Sequence, residues 1–134
     1  MSLSNMQDTY QLAHLLAQYA LNHHSICFDG PVGIGKSTLI KNIMQILGME
    51  YKGSPTYGMA NEYQLYHDSN IAMNIVHIDF YQSSSIDILA YDRHTALIEW
   101  SSLRPKAMLF FANIIYVSLD WQGTHRHVQL KING

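Results

Sequence analysis

Residues 25–48 read SICFDGPVGIGKSTLIKNIMQILG. The apolar run Ile26 to Asp29 predicts a short buried strand. Leu39, Ile40, Ile43, Met44 and Leu47 recur at helical spacing, and Gly48 is placed to end that helix at the C′ position. Between the two elements, Gly30, Gly35, Lys36 and Ser37 satisfy the phosphate-loop pattern G-x-x-x-x-G-K-[ST]. Glycines allow positive φ and let the backbone approach an anion with no Cβ in the way. The N–H groups of Gly33, Ile34, Gly35, Lys36, Ser37 and Thr38 can then converge on a phosphate. The helix that follows presents its partial positive end to the same anion. Lys36 adds a point charge, and the Ser37 hydroxyl is a hard oxygen suited to Mg²⁺. A strand, a phosphate loop and a helix in this order predict a nucleotide-binding α/β protein.

Working outward, Leu12, Leu15, Leu16 and Tyr19 predict a helix from Met6 to Leu21, with Ser4 or Asn5 available to cap it. Asn22 to Ser25 is a polar break. Downstream, Lys52 to Tyr57 reads as a turn because of Gly53 and Pro55. Two strand candidates, Ala60 to His67 and Ile71 to Phe80, flank Asp68-Ser69-Asn70 as a hairpin. Ser85 is placed to cap a short helix over Ile86 to Tyr91, and Lys106 to Phe111 predicts another after Pro105. Ala96 to Trp100 has the composition of a buried strand. Ile114 to Leu119 and His127 to Ile132 flank DWQGT as a second hairpin. The pattern predicts a P-loop NTPase-like α/β sandwich with a mixed parallel/antiparallel sheet, residues 1–134 forming a single P-loop ATPase domain.

Composition narrows the class. The chain has 134 residues, 48% apolar and 13% charged, with a formal net charge of −2, which argues against disorder. The only arginines are Arg93, Arg104 and Arg126, so there is no electrostatic footprint for nucleic acid. Any contact with RNA is expected to be indirect, through another subunit. A lone Cys27 excludes an internal disulfide and suits a reducing compartment. No apolar run approaches the ~18 residues of a membrane span, and MSLSNMQDTY does not resemble a signal peptide. A cytoplasmic protein is expected.

In a parallel α/β sheet, ligands bind at the carboxyl ends of the strands. Two candidate strands end there in an acid, NIVHIDF with Asp79 and ALIEW with Glu99. Either can serve as the acid that holds Mg²⁺ or orients the attacking water. There is no N/T-K-x-D guanine motif, which favours ATP. Three scattered arginines fit a small-molecule kinase poorly, because such enzymes need an arginine-bearing lid. A nucleotide-sensing protein with little hydrolysis remains an alternative.

GPVGIGKST, SPTY at residues 54–57, HIDFY at 77–81 and IEW at 98–100 occur in an order and spacing that resemble the TsaE (YjeE) family. The resemblance covers about residues 5–132. It implies a small ATPase of tRNA threonylcarbamoyladenosine (t6A) biosynthesis that binds ATP or ADP with Mg²⁺ and hydrolyses ATP slowly. It also implies TsaD and TsaB type partners, whose transferase the ATPase supports. Carried over by position, Lys36 would be the phosphate lysine, Ser37 and Glu99 the Mg²⁺ residues, and Asp79 the acid of the D-x-Y block. Glu99 would also act in hydrolysis, Trp100 would lie close to the nucleotide, and Ser54 and Thr56 would belong to a switch-like segment. The chain departs from the family at Pro31, where an acid is usual, at Ile34, often alanine, and at Gln82, typically arginine. Arg126 lies in a G-x-x-R-x-V stretch similar to the family's and is a candidate nucleotide neighbour.

The remaining features read as structural. His125 and His127 share a strand face, but no third metal ligand accompanies them. The seven methionines fit core filling, and Tyr57, Tyr63, Tyr66 and Tyr81 fit half-buried strand positions.

Overall fold

The computed structural model describes residues 1–55, 60–82 and 86–133. Thr56, Tyr57 and the expected cap Ser85 lie outside the described residues. In chain order the elements are β1 (Ser2–Leu3), α1 (Met6–Leu21), β2 (Ser25–Asp29), α2 (Lys36–Ile46), β3 (Asn61–His67), β4 (Asn70–Asp79), β5 (Thr95–Glu99), β6 (Ile114–Gln122) and β7 (His125–Asn133). Three 3₁₀ turns, Ile88–Tyr91, Ser101–Leu103 and Pro105–Phe110, join the later strands.

The strands form one seven-stranded sheet in the order β1-β7-β6-β2-β5-β4-β3. The centre, β6-β2-β5-β4, is parallel. The flanking pairs β3–β4, β6–β7 and β1–β7 are antiparallel. The expected mixed α/β sheet is therefore present.

The helices form for identifiable reasons. Asn5 is the cap that α1 uses: its Oδ1 accepts the Asp8 N–H at 2.9 Å, while Asp8 Oδ2 accepts the Ser4 N–H at 2.8 Å. This reciprocal pair satisfies donors that a helix start leaves free. The buried stripe of α1 runs through Leu12, Ala13, Leu16, Ala17 and Ala20, whereas Leu15 is exposed. Gly48, at φ +82, ends α2, with its N–H on the Gln45 carbonyl and the Met49 N–H on the Met44 carbonyl. Those two bonds make a Schellman cap.

Side chains alternate across each strand. Ile26 and Phe28 of β2, Leu97 of β5 and Ile75 of β4 join the core under α1 and α2. Cys27, Ala96, Ile98, Val76 and Ile78 form a second core on the opposite face, closed by Ile88 and Met108 from the 3₁₀ turns and by Phe111 just after the last of them. Fully burying one such aliphatic side chain stabilises the fold by ~1.5–3 kcal/mol. The same alternation puts His77, Asp79 and Glu99 on the face that carries α2.

Two expectations are corrected and one strand is added. Both short helices after Phe80 are 3₁₀ segments of four and six residues, too short to repay the cost of nucleating an α-helix. The second hairpin does not open at DWQGT, because the ladder continues through Asp120, Trp121 and Gln122 to a turn at Gly123–Thr124. Polarity marked those residues as loop, but they are the solvent-exposed end of a paired ribbon. Finally, Ser2–Leu3 is a strand, held against β7 at His127 and Arg126.

Candidate nucleotide site

The loop between β2 and α2 opens into a cleft of about 470 Å³ at the carboxyl edge of the parallel strands. Gly33, Gly35, Lys36, Ser37 and Thr38 form its floor. Asp79, Glu99 and Trp100 approach from β4 and β5, and Ser54, Tyr81 and Gln82 complete the wall. The sequence-predicted residues that lie within the described chain thus gather in one place, with two exceptions, Ile34 and Arg126. Ile34 is buried in the core, its N–H bonded to the Pro31 carbonyl at 3.3 Å, so only its backbone belongs to the loop.

Glycine is required at two points of the loop. A Cβ on Gly30 would meet the Leu119 carbonyl oxygen at 2.7 Å. Gly35 caps α2 at φ +113, and a Cβ there would meet Arg126 Nη1 at 2.8 Å. Arg126 is therefore a support beneath the loop rather than a cleft residue. Its Nη1 donates to the Ile34 carbonyl at 3.2 Å and its Nη2 to Thr9 Oγ1 at 2.6 Å. β1 holds that arginine in register, since Leu3 pairs with Arg126.

The Lys36 ammonium donates to the carbonyl oxygens of Gly30 and Pro31 and sits 3.9 Å from the centre of the Trp100 ring. Burial pushes its pKa down, while the charges of Glu99, Asp79 and Asp29 oppose that shift. Trp100 adopts φ +61, an uncommon conformation for a bulky residue. Its N–H donates to the Phe28 carbonyl at 3.1 Å, and its ring packs beside Tyr81 at 5.3 Å. The segment after Trp100 is fastened by Asp29 at the end of β2. Its Oδ2 accepts the Ser101 hydroxyl at 2.5 Å, and its Oδ1 accepts the Ser102 N–H at 3.2 Å and the Ser102 hydroxyl at 3.1 Å. The sequence offered no sign of this role, because Asp29 looked like part of the loop's approach.

Glu99 is buried, at 3% exposure. Its Oε1 accepts the Ser37 hydroxyl at 3.1 Å, and its Oε2 lies 2.8 Å from His77 Nε2. His77 escaped notice in the sequence because a histidine inside an apolar strand reads as core. Asp79 turns the other way. Its Oδ1 accepts the N–H of Tyr81 at 2.9 Å and of Gln82 at 3.4 Å. Burial, and then the nearby Glu99 charge, raise its pKa.

Other candidates stay outside the site. Among the described residues no group of three or more His, Cys, Asp or Glu could hold a metal, so the His125–His127 pair stands without a third ligand. Cys27 lies buried against Met108 Sδ at 3.3 Å, and burial pushes its thiol up to about 12, which makes it a poor nucleophile. Tyr63 is buried with its hydroxyl on the Lys52 N–H, whereas Tyr66 and Tyr81 are exposed. No helix among the described residues is long and apolar enough to cross a membrane.

The chain resembles known proteins across this whole arrangement. It is 31% identical over 102 residues, 73% of each chain, to the tRNA threonylcarbamoyladenosine biosynthesis protein TsaE of Aquifex aeolicus. It is 36% identical over 59 residues to the Borreliella burgdorferi protein of the same name, covering 44% of this chain and 39% of that one. The crystal structure of YdiB from Bacillus subtilis superposes with a TM-score of 0.67 at 18% identity, over 96% of this chain and 80% of that one, a likeness of fold. The family model described as "Threonylcarbamoyl adenosine biosynthesis protein TsaE" matches residues 3–128, a span that takes in the phosphate loop, both strand-end acids and Arg126, and the chain belongs to the TsaE family.

Proposed function

We propose that this chain is a Mg²⁺-dependent ATPase, residues 1–134 acting as one P-loop domain in the cytoplasm. Its ATP cycle supports turnover of a TsaD–TsaB type threonylcarbamoyl transferase, and it meets tRNA only through that complex. The observation that carries the reading is the Ser37 hydroxyl lying 3.1 Å from the Glu99 carboxylate at the base of the phosphate loop.

The donor set fits magnesium. A hydroxyl and a carboxylate are hard oxygen ligands, and Mg²⁺ characteristically takes a few of these and completes its shell with phosphates and water. Charge supports the same assignment: Asp79 and Glu99 share the cleft with one ammonium, so a polyphosphate needs further positive charge to enter. Ser37 and Glu99 would hold the ion, and when bound it neutralises charge along the polyphosphate and polarises it.

The chain's own residues do the rest. The N–H groups of Gly33 and of Gly35 to Thr38, with the Lys36 ammonium, bind the phosphate tail. Water attacks the terminal phosphorus. A P–O bond forms, the bridging P–O bond breaks with its electron pair leaving on ADP, and the proton of the water passes to the Glu99 carboxylate. Trp100 and Tyr81 wall the cleft, their rings 5.3 Å apart. Asp79 holds the turn that carries Tyr81 and Gln82. Three scattered arginines fit a kinase-type lid over a second acceptor poorly.

The test is ATP hydrolysis by the purified chain, alone and with a TsaD–TsaB complex. Slow turnover, altered by the complex, is the expected result. Absence of hydrolysis in both conditions refutes the ATPase assignment, and phosphate appearing on an added acceptor would make the chain a kinase.

A further inference from the structure

His77 has no part in the chemistry above, yet it is wholly buried, at 0% exposure, in the middle of the sheet. It pairs with Asn61 of β3 on one side and Leu97 of β5 on the other, so its backbone is held from both flanks. Its ring lies 6.0 Å from that of Tyr51. We propose that His77 is a positioning residue for Glu99: its Nε2–H, 2.8 Å from Oε2, holds the carboxylate in the rotamer that turns Oε1 toward Ser37. The inference rests on the reading of Ser37 and Glu99 as the magnesium pair.

Two features of the geometry carry it. First, the two carboxylate oxygens are divided between two donors from different elements. Ser37 belongs to the helix after the phosphate loop and His77 to β4, so the carboxylate plane is defined by both. Removing His77 leaves Oε2 buried with no donor, and the carboxylate must then rotate away or protonate. Second, His77 Nδ1 is buried with no hydrogen-bond partner among the described residues. A carboxylate oxygen only accepts, so the proton between the two groups is carried by Nε2 and the ring bonds Glu99 through that nitrogen alone. A buried histidine kept only for packing would gain nothing from leaving one nitrogen unpaired, since an apolar residue fills the same space without that cost.

The experiment compares His77→Phe, which removes the donor and keeps the bulk, with His77→Gln, whose amide N–H can reach toward Oε2. ATP affinity is measured by calorimetry with and without Mg²⁺ on the full chain, alongside kcat, KM and the melting temperature. His77→Phe is expected to erase about 10- to 100-fold of the Mg²⁺-dependent gain in ATP affinity and to lower kcat similarly. Its affinity for ATP without Mg²⁺ should stay within about twofold of wild type, and His77→Gln should recover to within about threefold. In a Glu99→Gln background, His77→Phe should have no further effect on the Mg²⁺ gain. Should His77→Phe not fold, His77→Asn takes its place, with a side chain too short to reach. A Mg²⁺ gain unchanged in the donor-less variant overturns the inference, as does a His77→Gln variant that melts with wild type but is as impaired as His77→Phe. A wild-type chain that binds ATP equally with and without Mg²⁺ overturns the magnesium reading itself and this inference with it.

Discussion

β4 and β5 end side by side in an acid each, and the two residues are direct partners in the parallel ladder. Asp79 spends its Oδ1 on the backbone of the turn that follows, while Glu99 reaches across to the phosphate-loop helix and to His77. Asp79 is bound to the turn that walls the cleft, and Glu99 joins the phosphate-loop helix to β4. Equivalent positions in a sheet therefore do not have equivalent partners. Those of Asp79 are its neighbours in sequence, and those of Glu99 come from distant parts of the chain.

Three substitutions probe this contrast, beginning with the largest expected effect. Glu99→Gln should slow single-turnover ATP hydrolysis by about 10²–10³-fold while leaving affinity for ATP measured without Mg²⁺ within about threefold. Asp79→Asn, assayed beside it, should slow hydrolysis far less, and equal losses in the two would break the distinction between wall and reactive acid. Lys36→Ala should weaken ATP binding by about 100-fold, near the ~3 kcal/mol upper range for hydrogen bonds to a charged group. Calorimetry reads this directly, and an unchanged dissociation constant would remove the polyphosphate from the loop that Lys36 belongs to.

The smallest effect is on stability. Asp79→Ala leaves two turn N–H groups without their acceptor and should cost ~1–3 kcal/mol in urea denaturation, whereas Asp79→Asn, which keeps an oxygen at that place, should cost less than about 1 kcal/mol. The pH dependence sharpens it. Burial and the Glu99 charge raise the folded pKa of Asp79 above its ordinary 3.8, so the folded chain holds that proton more tightly than the unfolded chain. The resulting stabilisation is present below about pH 3.8 and is lost as pH rises through the folded value. The stability of wild type relative to Asp79→Asn should therefore fall across that window, and a difference that is flat with pH would show Asp79 to be as solvated folded as unfolded.

Much of the fold was legible because its signals are local. Helix α1 spans Met6 to Leu21 as its periodicity and cap require, and Gly48 closes α2 where a left-handed residue is needed. The strand–loop–helix around Gly30 to Ser37 follows from glycine, lysine and hydroxyl at set intervals. The two-residue strand β1 was not legible, because two residues carry no period. The end of the second hairpin was misread because hydrogen-bond pairing, not polarity, extends it to Gln122.

The site divides in the same way. The amino-acid order alone determined that the chain carries the phosphate-loop pattern, two acids at strand ends and a tryptophan after the second, since each is written in neighbouring residues. It could not assign Asp29 to Ser101, Arg126 to the underside of the loop, or His77 to Glu99. Those pairs lie 72, 92 and 22 residues apart, and each exists only because the parallel sheet and the β1–β7 edge bring distant backbone into register. A hydrogen bond acts over about 3 Å, so its partners are named by folding rather than by spacing along the chain.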